Sequence, residues 1–355
     1  MKKNNYFKIG KKIVNHKKTF IIAEISSNHN KSLKRIIALI KKAKKVGADA
    51  VKLQTYTADT ITLNSDKKDF SLKHLKNKNW TKYKNFYQIY KEGAIPWGWH
   101  KRLFNLAAKI GIEIFSSPFD ESAVDMLEKL NCVAYKIASA EVNHIPLLIR
   151  VAKTGKPVII SSGLSSVNDL DLAIKTLKKH GSKKIALLKC NASYPAPLKE
   201  SNLNNIIYLK NKYKIPIGLS DHSIGDISAL TAVSLGATII EKHFNLDDNV
   251  KTLDSFFSSG ENEFKNMIKK IRDVESILGT HKYSISKSSI KNLRAKRSIY
   301  VSKDIKNNEK LTKSNIKVIR PGFGLHPKYY FQVIGMKAKK NLQKGTRLKL
   351  DLIRK

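Results

Sequence analysis

Two apolar segments of the chain each end in a histidine. Residues 215–219 are followed by Ser220-Asp221-His222, and residues 237–240 are followed by Glu241-Lys242-His243. In a parallel barrel the carboxyl ends of all strands meet at one face, so two histidines at neighbouring strand ends can share one metal ion. The spacing therefore predicts a metal-dependent enzyme with His222 and His243 as metal ligands.

Polar residues also follow the other apolar segments, and two lysines, Lys52 and Lys136, lie inside such segments. A lysine is costly to bury without a counter-charge, so a bound anion is the expected partner. Two lysines with several serines are typical of a phosphate or carboxylate site. The candidate site residues at the strand ends are Glu24, Asn28, His29, Lys52, Gln54, Ser116, Ser117, Asp120, Lys136, Ser139, Glu141, Ser161, Ser162, Gly163, Asn191, Tyr194, Ser220, Asp221, His222, Glu241 and His243.

Several of these residues also have a structural interpretation. Lys136 could form an ion pair with Glu141, and a single buried histidine is more often a core residue bonded to a carbonyl group. Asp120 is as well suited to capping a helix as to a site, and Asp221 could serve only to orient His222. The functional interpretation depends on the convergence of all these residues at one end of the strands.

The elements that position these residues repeat one unit: an amphipathic helix, a Gly, Asn or Pro break, and a short apolar strand. The helix predicted at residues 32–46 has one apolar face, ends at Gly47 and leads into a strand at 50–54. Eight strands are predicted, the others at 20–24, 112–115, 133–137, 157–160, 185–188, 215–219 and 237–240. Alternating helices and strands predict an α/β fold, and eight units predict a closed (β/α)8 TIM barrel whose last helix spans 261–278. An open doubly wound sheet is the alternative, but no G-x-G-x-x-G motif follows a strand.

Two segments do not follow this repeat. The connection from Tyr56 to Trp99 is too long for a simple loop and rich in aromatic residues, so we expect a lid or a wall of the site. Its tyrosines and Phe86, over residues 83–90, have the spacing of a helix packed on the barrel mouth. Near the C-terminus, residues 303–316 and 340–353 resemble each other, which predicts a compact β-rich module. A loop between the halves presents Arg320, which suits either a plain turn or the binding of an anion.

Charge and cysteine content restrict the class of protein. The 355 residues include 68 Lys and Arg but only 28 Asp and Glu, for a formal net charge of +40. The excess is spread along the chain, so we expect nonspecific attraction to polyanions and no specific nucleic-acid binding. Cys132 and Cys190 lie beside apolar segments, which favours a reducing compartment over a disulfide framework. With no signal peptide and no segment long enough to span a membrane, we expect a cytoplasmic protein.

Together these motifs resemble the sialic acid synthases, which condense phosphoenolpyruvate with an amino sugar to make nine-carbon acids. The resemblance runs nearly from end to end. It is carried by Ala23-Glu24-Ile25, Asn28-His29-Asn30, Lys52-Leu53-Gln54, Lys136-Ile137-Ala138-Ser139, Tyr194-Pro195-Ala196, residues 218–222 and Glu241-Lys242-His243-Phe244. It implies a TIM-barrel domain at residues 1–280, a linker at 281–293, and a small β-rich antifreeze-like (SAF, β-clip) domain at 294–355.

The resemblance also implies roles for particular residues. His222 and His243 hold a divalent metal, Mn²⁺ or Mg²⁺, and Glu24 and Asp254 join them as catalytic residues, with Glu24 stabilising a cationic intermediate or activating water. The residues that bind phosphoenolpyruvate are Lys52, Lys136, Ser117, Ser139, Ser161 and Ser220. The residues that bind the acetamido sugar are Gln54, Glu141, Tyr194 and Asp254. Family members form domain-swapped homodimers, which implies that Arg320 enters the partner's site.

Within the family, residues 54–62, Pro96-Trp97, Asp254-Ser255 and residues 320–329 are most similar to the subfamily that makes pseudaminic acid. Synthases of N-acetylneuraminic acid or legionaminic acid are the alternatives. One departure from the family concerns the phosphate, because Ala192 stands where the family usually has Asn or Ser. Asn191 or Ser193 must then compensate, or phosphoenolpyruvate binds more weakly. Lys31 and Leu253 replace a common Gly and a common Pro, away from the proposed chemistry.

Overall fold

The computed structural model describes residues 6–72, 80, 82–280 and 282–355. The chain divides into two compact units, Met1–Gly279 and Thr280–Lys355. Three predicted features lie partly outside the described residues. They are the charged N-terminus at residues 1–5, the middle of the aromatic insertion at 73–79 and 81, and His281 at the start of the predicted linker.

The first unit is built on a closed barrel of eight parallel strands, which confirms the predicted (β/α)8 fold. Neighbouring strands pair in chain order, and the last strand closes the ring against the first. The strands are β3 (Phe20–Glu24), β4 (Ala50–Thr55), β5 (Glu113–Pro118), β6 (Tyr135–Ile137), β7 (Val158–Ser161), β8 (Ile185–Cys190), β9 (Ile217–Asp221) and β10 (Ile239–His243). Almost all of their residues are buried, as expected for a parallel sheet covered by helices.

Helices surround the barrel on the connections between its strands. They are α1 (Leu33–Val46), α4 (Trp97–Ile110), α5 (Glu121–Lys129), α6 (Ile145–Ala152), α7 (Val167–Lys179), α8 (Asn205–Tyr213), α9 (Ile227–Ser234) and α10 (Glu261–Leu278), with α2 (Ala58–Ile61) and α3 (Phe86–Gly93) in the aromatic insertion. Residues at the two ends of α1 explain where this helix begins and ends. The Ser32 side chain accepts a hydrogen bond from the Arg35 N–H, and Gly47 ends the helix with a φ of 98° that suits glycine.

A short N-terminal hairpin, which we did not predict, lies at the amino end of the barrel. Its strands β1 (Phe7–Ile9) and β2 (Lys12–Val14) pair antiparallel, and Ile9 and Val14 are fully buried in the main core. The backbone N–H of Lys11 donates to the carboxylate of Glu113, the first residue of β5, at 2.8 Å. The carboxyl ends of the strands, where active sites of TIM barrels lie, are at the opposite face from the hairpin.

The second unit is small and rich in short strands, as predicted. Its strands are β11 (Ser298–Val301), β12 (Ile316–Ile319), β13 (Lys337–Ala338) and β14 (Ile353–Arg354), with helix α12 at Tyr330–Val333, and β11 pairs with β12 while β13 pairs with β14. The two similar halves seen in the sequence face each other across a pseudo-twofold axis. The antiparallel bridge between Ile305 and Leu342 lies on this axis. The axis also relates the bridge between Tyr300 and Arg347 to the bridge between Lys310 and Lys337. The segment predicted as a linker contains the exposed helix α11 (Lys287–Ile290).

Among the residues that the structure describes, we find no helix with the length and hydropathy needed to cross a bilayer.

Candidate active site

The carboxyl ends of the barrel strands bring together most of the residues predicted to form the site. A cluster of buried charges lies inside the barrel. Lys52 Nζ lies 3.1 Å from Glu24 Oε2 and 3.2 Å from Glu241 Oε1, and it is 3.4 Å from Ser117 Oγ. On the other side of Glu241, Lys136 Nζ lies 3.8 Å from the same Oε1. We call Glu24, Lys52, Lys136 and Glu241 the charge cluster.

Serine hydroxyls complete the surroundings of the charge cluster. Lys136 Nζ donates to Ser161 Oγ at 2.5 Å, and Ser220 Oγ donates to Glu241 Oε1 at 2.9 Å. Ser139 Oγ accepts a hydrogen bond from the Gly163 N–H at 3.0 Å, so it is tied to the loop after β7. These serines, with the two ammonium groups, could bind the oxygens of an anion.

Glu241 is one of the polar residues at the strand ends, but the sequence pattern alone does not assign it a role. Both lysines contact this carboxylate, so the protein supplies a counter-charge at Glu241, a residue that the sequence did not single out for that purpose. The carboxylate beside Lys136 is that of Glu241. The alternative drawn from the sequence, an ion pair with Glu141, is not formed. The strand-end position of Glu241 was a usable signal, but its contacts depend on the barrel geometry.

The charge cluster shifts the pKa values of its members. Burial raises the pKa of Glu24 to about 7, although Lys52 opposes the shift. Burial also lowers the pKa of Lys136 to about 8, with Glu241 opposing. For Glu241, burial alone would raise the pKa, but the attraction of Lys136 and Lys52 prevails and lowers it. A carboxyl and an ammonium group that titrate near neutral pH are suited to proton transfer and anion binding.

The two predicted metal ligands lie side by side. The ring centroids of His222 and His243 are 5.4 Å apart. His222 Nδ1 donates to the Asn191 carbonyl oxygen at 2.8 Å, which leaves Nε2 with a lone pair when the ring is neutral. His243 Nδ1 is buried and has no hydrogen-bond partner among the described residues. Burial lowers the pKa of His243 well below its usual value, so this ring is neutral at pH 7.

These features fit a divalent metal with two protein ligands. A ligating imidazole must be neutral and commonly donates its other N–H to a carbonyl group, as His222 does to Asn191. The described residues contain no group of three or more His, Cys, Asp or Glu side chains placed to hold a metal ion. An ion on His222 and His243 would therefore take its remaining ligands from water or substrate. The metal remains a prediction.

Asp221 does not orient His222, contrary to one interpretation of the sequence. Its Oδ2 lies 2.7 Å from Lys242 Nζ, and its Oδ1 accepts hydrogen bonds from Ser223. Asp120 serves as the helix cap, because its carboxylate accepts the backbone N–H groups of Ser122 and Ala123 at the start of α5.

The residues predicted to bind a sugar line the same region. Asp254 Oδ2 accepts a hydrogen bond from Ser26 Oγ at 2.6 Å and lies 4.0 Å from His243 Nδ1. The ring of Tyr194 packs against His222, with centroids 4.4 Å apart. Glu141 is half-buried, one carboxylate oxygen lacks a partner among the described residues, and burial raises its pKa to about 7. The unbonded oxygen of Glu141 is therefore a hydrogen-bonding group that a ligand could satisfy.

Part of the aromatic insertion reaches this region. Trp80 Nε1 donates to the Leu253 carbonyl oxygen at 3.1 Å, and the indole ring lies 6.0 Å from the ring of Tyr194. This placement agrees with the prediction of a wall over the site. The predicted aromatic helix begins at Phe86, so Tyr83 precedes it.

Two further residues concern the predicted phosphate and sugar sites, Ala192 and Arg320. Ala192 carries no polar side-chain atom, and Gly163 lies beside it and Ser139, so close that a Cβ on Gly163 would approach both within 3.2 Å. Arg320 belongs to the second unit, where it is exposed and follows β12. Its predicted role therefore stays a prediction.

The fold and the site define the class of protein. A TIM barrel that gathers two lysines, two glutamates, several serines and a histidine pair at its strand ends has the site of a TIM-barrel enzyme. The NeuB family model matches residues 39–283 and the SAF domain model matches residues 296–354. The chain therefore belongs to the NeuB family and carries a SAF domain at its C-terminus.

Individual relatives are similar over nearly the whole chain. The pseudaminic acid synthase of Campylobacter jejuni is 44% identical over 333 residues, which cover 94% of this chain and 96% of that protein. The pseudaminic acid synthase of Helicobacter pylori is 41% identical, with 93% and 96% covered. The crystal structure of the N-acetylneuraminic acid synthetase of Leptospira borgpetersenii is 30% identical with a TM-score of 0.71, covering 81% of this chain and 95% of that one.

Proposed function

We propose that the protein is a pseudaminic acid synthase. It condenses phosphoenolpyruvate with 2,4-diacetamido-2,4,6-trideoxy-L-altrose and water, and it releases pseudaminic acid and phosphate. The observation that carries the choice of sugar is the similarity to two pseudaminic acid synthases along nearly the whole chain. The charge cluster and the histidine pair support the chemistry, because they offer one site for an anion beside one for a metal.

Phosphoenolpyruvate is the anion that the charge cluster is proposed to bind. Its phosphate and carboxylate contact Lys52 and Lys136, and the hydroxyls of Ser117, Ser139, Ser161 and Ser220 donate to the remaining oxygens. Glu241 holds the two ammonium groups on either side of one carboxylate oxygen before the substrate arrives. This arrangement reduces the reorganisation needed when the anion binds.

The methylene carbon of phosphoenolpyruvate forms a bond to the aldehyde carbon of the open-chain sugar. The electron pair of the enol double bond enters the new bond, so positive charge develops at the pyruvyl carbon. The π electrons of the aldehyde C=O bond move onto its oxygen, which takes up a proton and becomes a hydroxyl group; the proton that the added water releases to Glu24 balances this uptake. The Glu24 carboxylate lies inside the barrel beside Lys52, stabilises this charge, and accepts a proton from the water that adds there. The hydroxyl group that water leaves on the pyruvyl carbon then forms the keto group: its O–H proton is released to the departing phosphate as the C–O bond to phosphate breaks.

His222 and His243 are the residues that would hold the divalent ion, Mn²⁺ or Mg²⁺. Such an ion, when bound, polarises an aldehyde oxygen and makes its carbon more electrophilic. Asn191 fixes the ring of His222, and burial keeps His243 neutral. Burial would lower the pKa of His222, but the contact with Cys190 prevails and raises it, so a metal that binds this ring would displace a proton. Tyr194 packs on His222 and excludes water from that side.

The acetamido sugar lies between the histidine pair and the aromatic insertion. Gln54, Glu141 and Asp254 bind its hydroxyl and amide groups, and Tyr194 contacts its apolar face. Asp254 is beside the proposed metal site, because its Oδ2 lies 4.0 Å from His243 Nδ1. Arg320 comes from a second copy of the chain in a domain-swapped homodimer in the cytoplasm, and its guanidinium group contacts the sugar.

The test is a measurement of phosphate release from phosphoenolpyruvate. Release should require the enzyme, Mn²⁺ or Mg²⁺, phosphoenolpyruvate and 2,4-diacetamido-2,4,6-trideoxy-L-altrose together, and mass spectrometry should identify the nine-carbon product. A panel that adds N-acetylmannosamine and the legionaminic acid precursor distinguishes the alternative synthases. Turnover only with one of those sugars would reassign the substrate, and no turnover with any acetamido sugar would refute the proposed function.

A further inference from the structure

Ser26 combines an unfavourable backbone conformation with a central position in the site. The residue follows β3, is 4% exposed, and has a φ of 44°. This left-handed region is costly for residues other than glycine, and such strain persists where surrounding contacts enforce it, often at functional sites. The contacts of the Ser26 side chain therefore indicate what the conformation achieves.

The hydroxyl of Ser26 joins two side chains from distant parts of the chain. Its oxygen donates to Asp254 Oδ2 at 2.6 Å and accepts a hydrogen bond from Gln54 Nε2 at 3.0 Å. The same Nε2 also donates to Glu24 Oε1 at 3.0 Å. One continuous chain of hydrogen bonds thus runs from Glu24 through Gln54 and Ser26 to Asp254.

These bonds decide which atoms of Gln54 and Asp254 remain for a ligand. Both amide hydrogens of Gln54 are used, so the polar atom left over is its carbonyl oxygen, an acceptor. Asp254 Oδ2 accepts hydrogen bonds from both Ser26 Oγ and the Ser27 N–H, so neither serine is bonded to Oδ1. Both side chains therefore offer acceptor oxygens, which suit the hydroxyl and amide N–H donors of an acetamido sugar.

We propose that Ser26 is a positioning residue for the sugar, which sets the orientation of Gln54 and Asp254 through its hydroxyl group. The inference rests on the proposed function, since it assigns a device for recognising the sugar of that reaction. Ser26 acts only through its two neighbours. Its loss should therefore affect the sugar and leave the binding of phosphoenolpyruvate to Lys52 and Lys136 intact.

Ser26→Gly is the most informative variant. Glycine tolerates a φ of 44°, so relief of backbone strain offsets the loss of the hydrogen bonds of the hydroxyl, and the melting temperature should change little. The KM for the sugar should rise about tenfold, as expected for a lost hydrogen bond to a charged group, while the KM for phosphoenolpyruvate changes by less than about twofold. Ser26→Ala, which also lacks the hydroxyl, should show the same selective loss.

Ser27→Ala is the matched control. The Ser27 side chain donates to the Gly93 carbonyl oxygen, and only its backbone N–H, which alanine keeps, contacts Asp254. This variant should keep the wild-type KM for the sugar within about twofold. A wild-type KM in Ser26→Gly, an equal rise in the KM for both substrates, or an equal loss in Ser27→Ala would each overturn the inference. An inactive wild-type enzyme would instead refute the proposed function, and the inference with it.

Discussion

Buried charges within the barrel nearly balance each other before any substrate binds. Lys52 and Lys136 share the carboxylate of Glu241, and Glu24 contacts Lys52 as well. Because Glu24 has a pKa of about 7 and Lys136 a pKa of about 8, both groups change charge close to neutral pH. The rate and the affinity for the anion should therefore depend on pH through different residues.

Glu24→Gln tests the role of this carboxylate. The substitution removes the proton acceptor at nearly constant volume, so kcat should fall by about 100-fold or more. Only the ionised carboxylate can accept a proton, so wild-type kcat should decrease as the pH falls through about 7, the raised pKa of Glu24. Steady-state phosphate release over a pH series measures both effects. A variant that keeps the wild-type rate and the same acid limb would contradict the assignment.

Lys136 should control the affinity for phosphoenolpyruvate at alkaline pH. Burial lowers its pKa to about 8, so the ammonium group loses its proton as the pH rises through that value. The KM for phosphoenolpyruvate should then increase, because one positive charge facing the anion is lost. The KM for the sugar, measured on the same samples, serves as the control. A KM for phosphoenolpyruvate that stays flat above about pH 8 would count against this residue.

At the scale of elements, alternate side chains of β9 and β10 point to opposite faces of the barrel wall and have different roles. Glu241 joins the charge cluster and His243 lies beside His222, whereas Lys242, between them in sequence, pairs with Asp221. Successive residues of a strand point to opposite faces, so the buried ion pair belongs to the outer face of the barrel wall. This ion pair links β9 and β10, the strands that position His222 and His243.

Lys242→Met tests the contribution of this pair to stability. The Asp221 carboxylate would stay buried without its partner, at 3% side-chain exposure, so the free energy of unfolding should fall by about 3 to 5 kcal/mol. The double variant Asp221→Leu with Lys242→Met should recover much of that loss, because no charge remains unpaired. Denaturant unfolding of all three proteins gives the values. Equal stability of wild type and Lys242→Met would show that the pair is unimportant.

The sequence predicted the elements better than the contacts between them. Local patterns set the bounds of α10 at residues 261–278 and of α1 after Ser32, because periodicity and caps depend on neighbours in the chain. The partner of Glu241 and the hydrogen bond between Ser26 and Asp254 depend on how strands and loops pack, which no local pattern encodes. The hairpin at residues 7–14 was missed because its strands are only three residues long.

At the scale of the whole molecule, the proposed reaction combines residues of both units. The histidine pair and the charge cluster belong to the barrel unit, and Arg320 belongs to the SAF domain. In a domain-swapped homodimer, each site would take its arginine from the other copy of the chain. That arrangement makes activity depend on which chains are combined.

Mixed dimers test the swap. Subunits carrying Arg320→Ala and subunits carrying His222→Ala should each be nearly inactive alone. After joint refolding, about half of the dimers should be mixed, each with one intact site, so about a quarter of the wild-type activity should return. Phosphate release from the mixture, compared with the separate variants, is the measurement. Activity no higher than that of the separate variants would count against the swap.

A crystal structure with Mn²⁺ and phosphoenolpyruvate tests the central claim most directly, namely that one site at the strand ends holds a metal beside the anion. The account predicts a metal ion in contact with both His222 and His243, and phosphoenolpyruvate against Lys52 and Lys136 with its methylene carbon facing the metal. Electron density showing the two imidazoles without a shared ion, or phosphoenolpyruvate bound away from the two lysines, would contradict it.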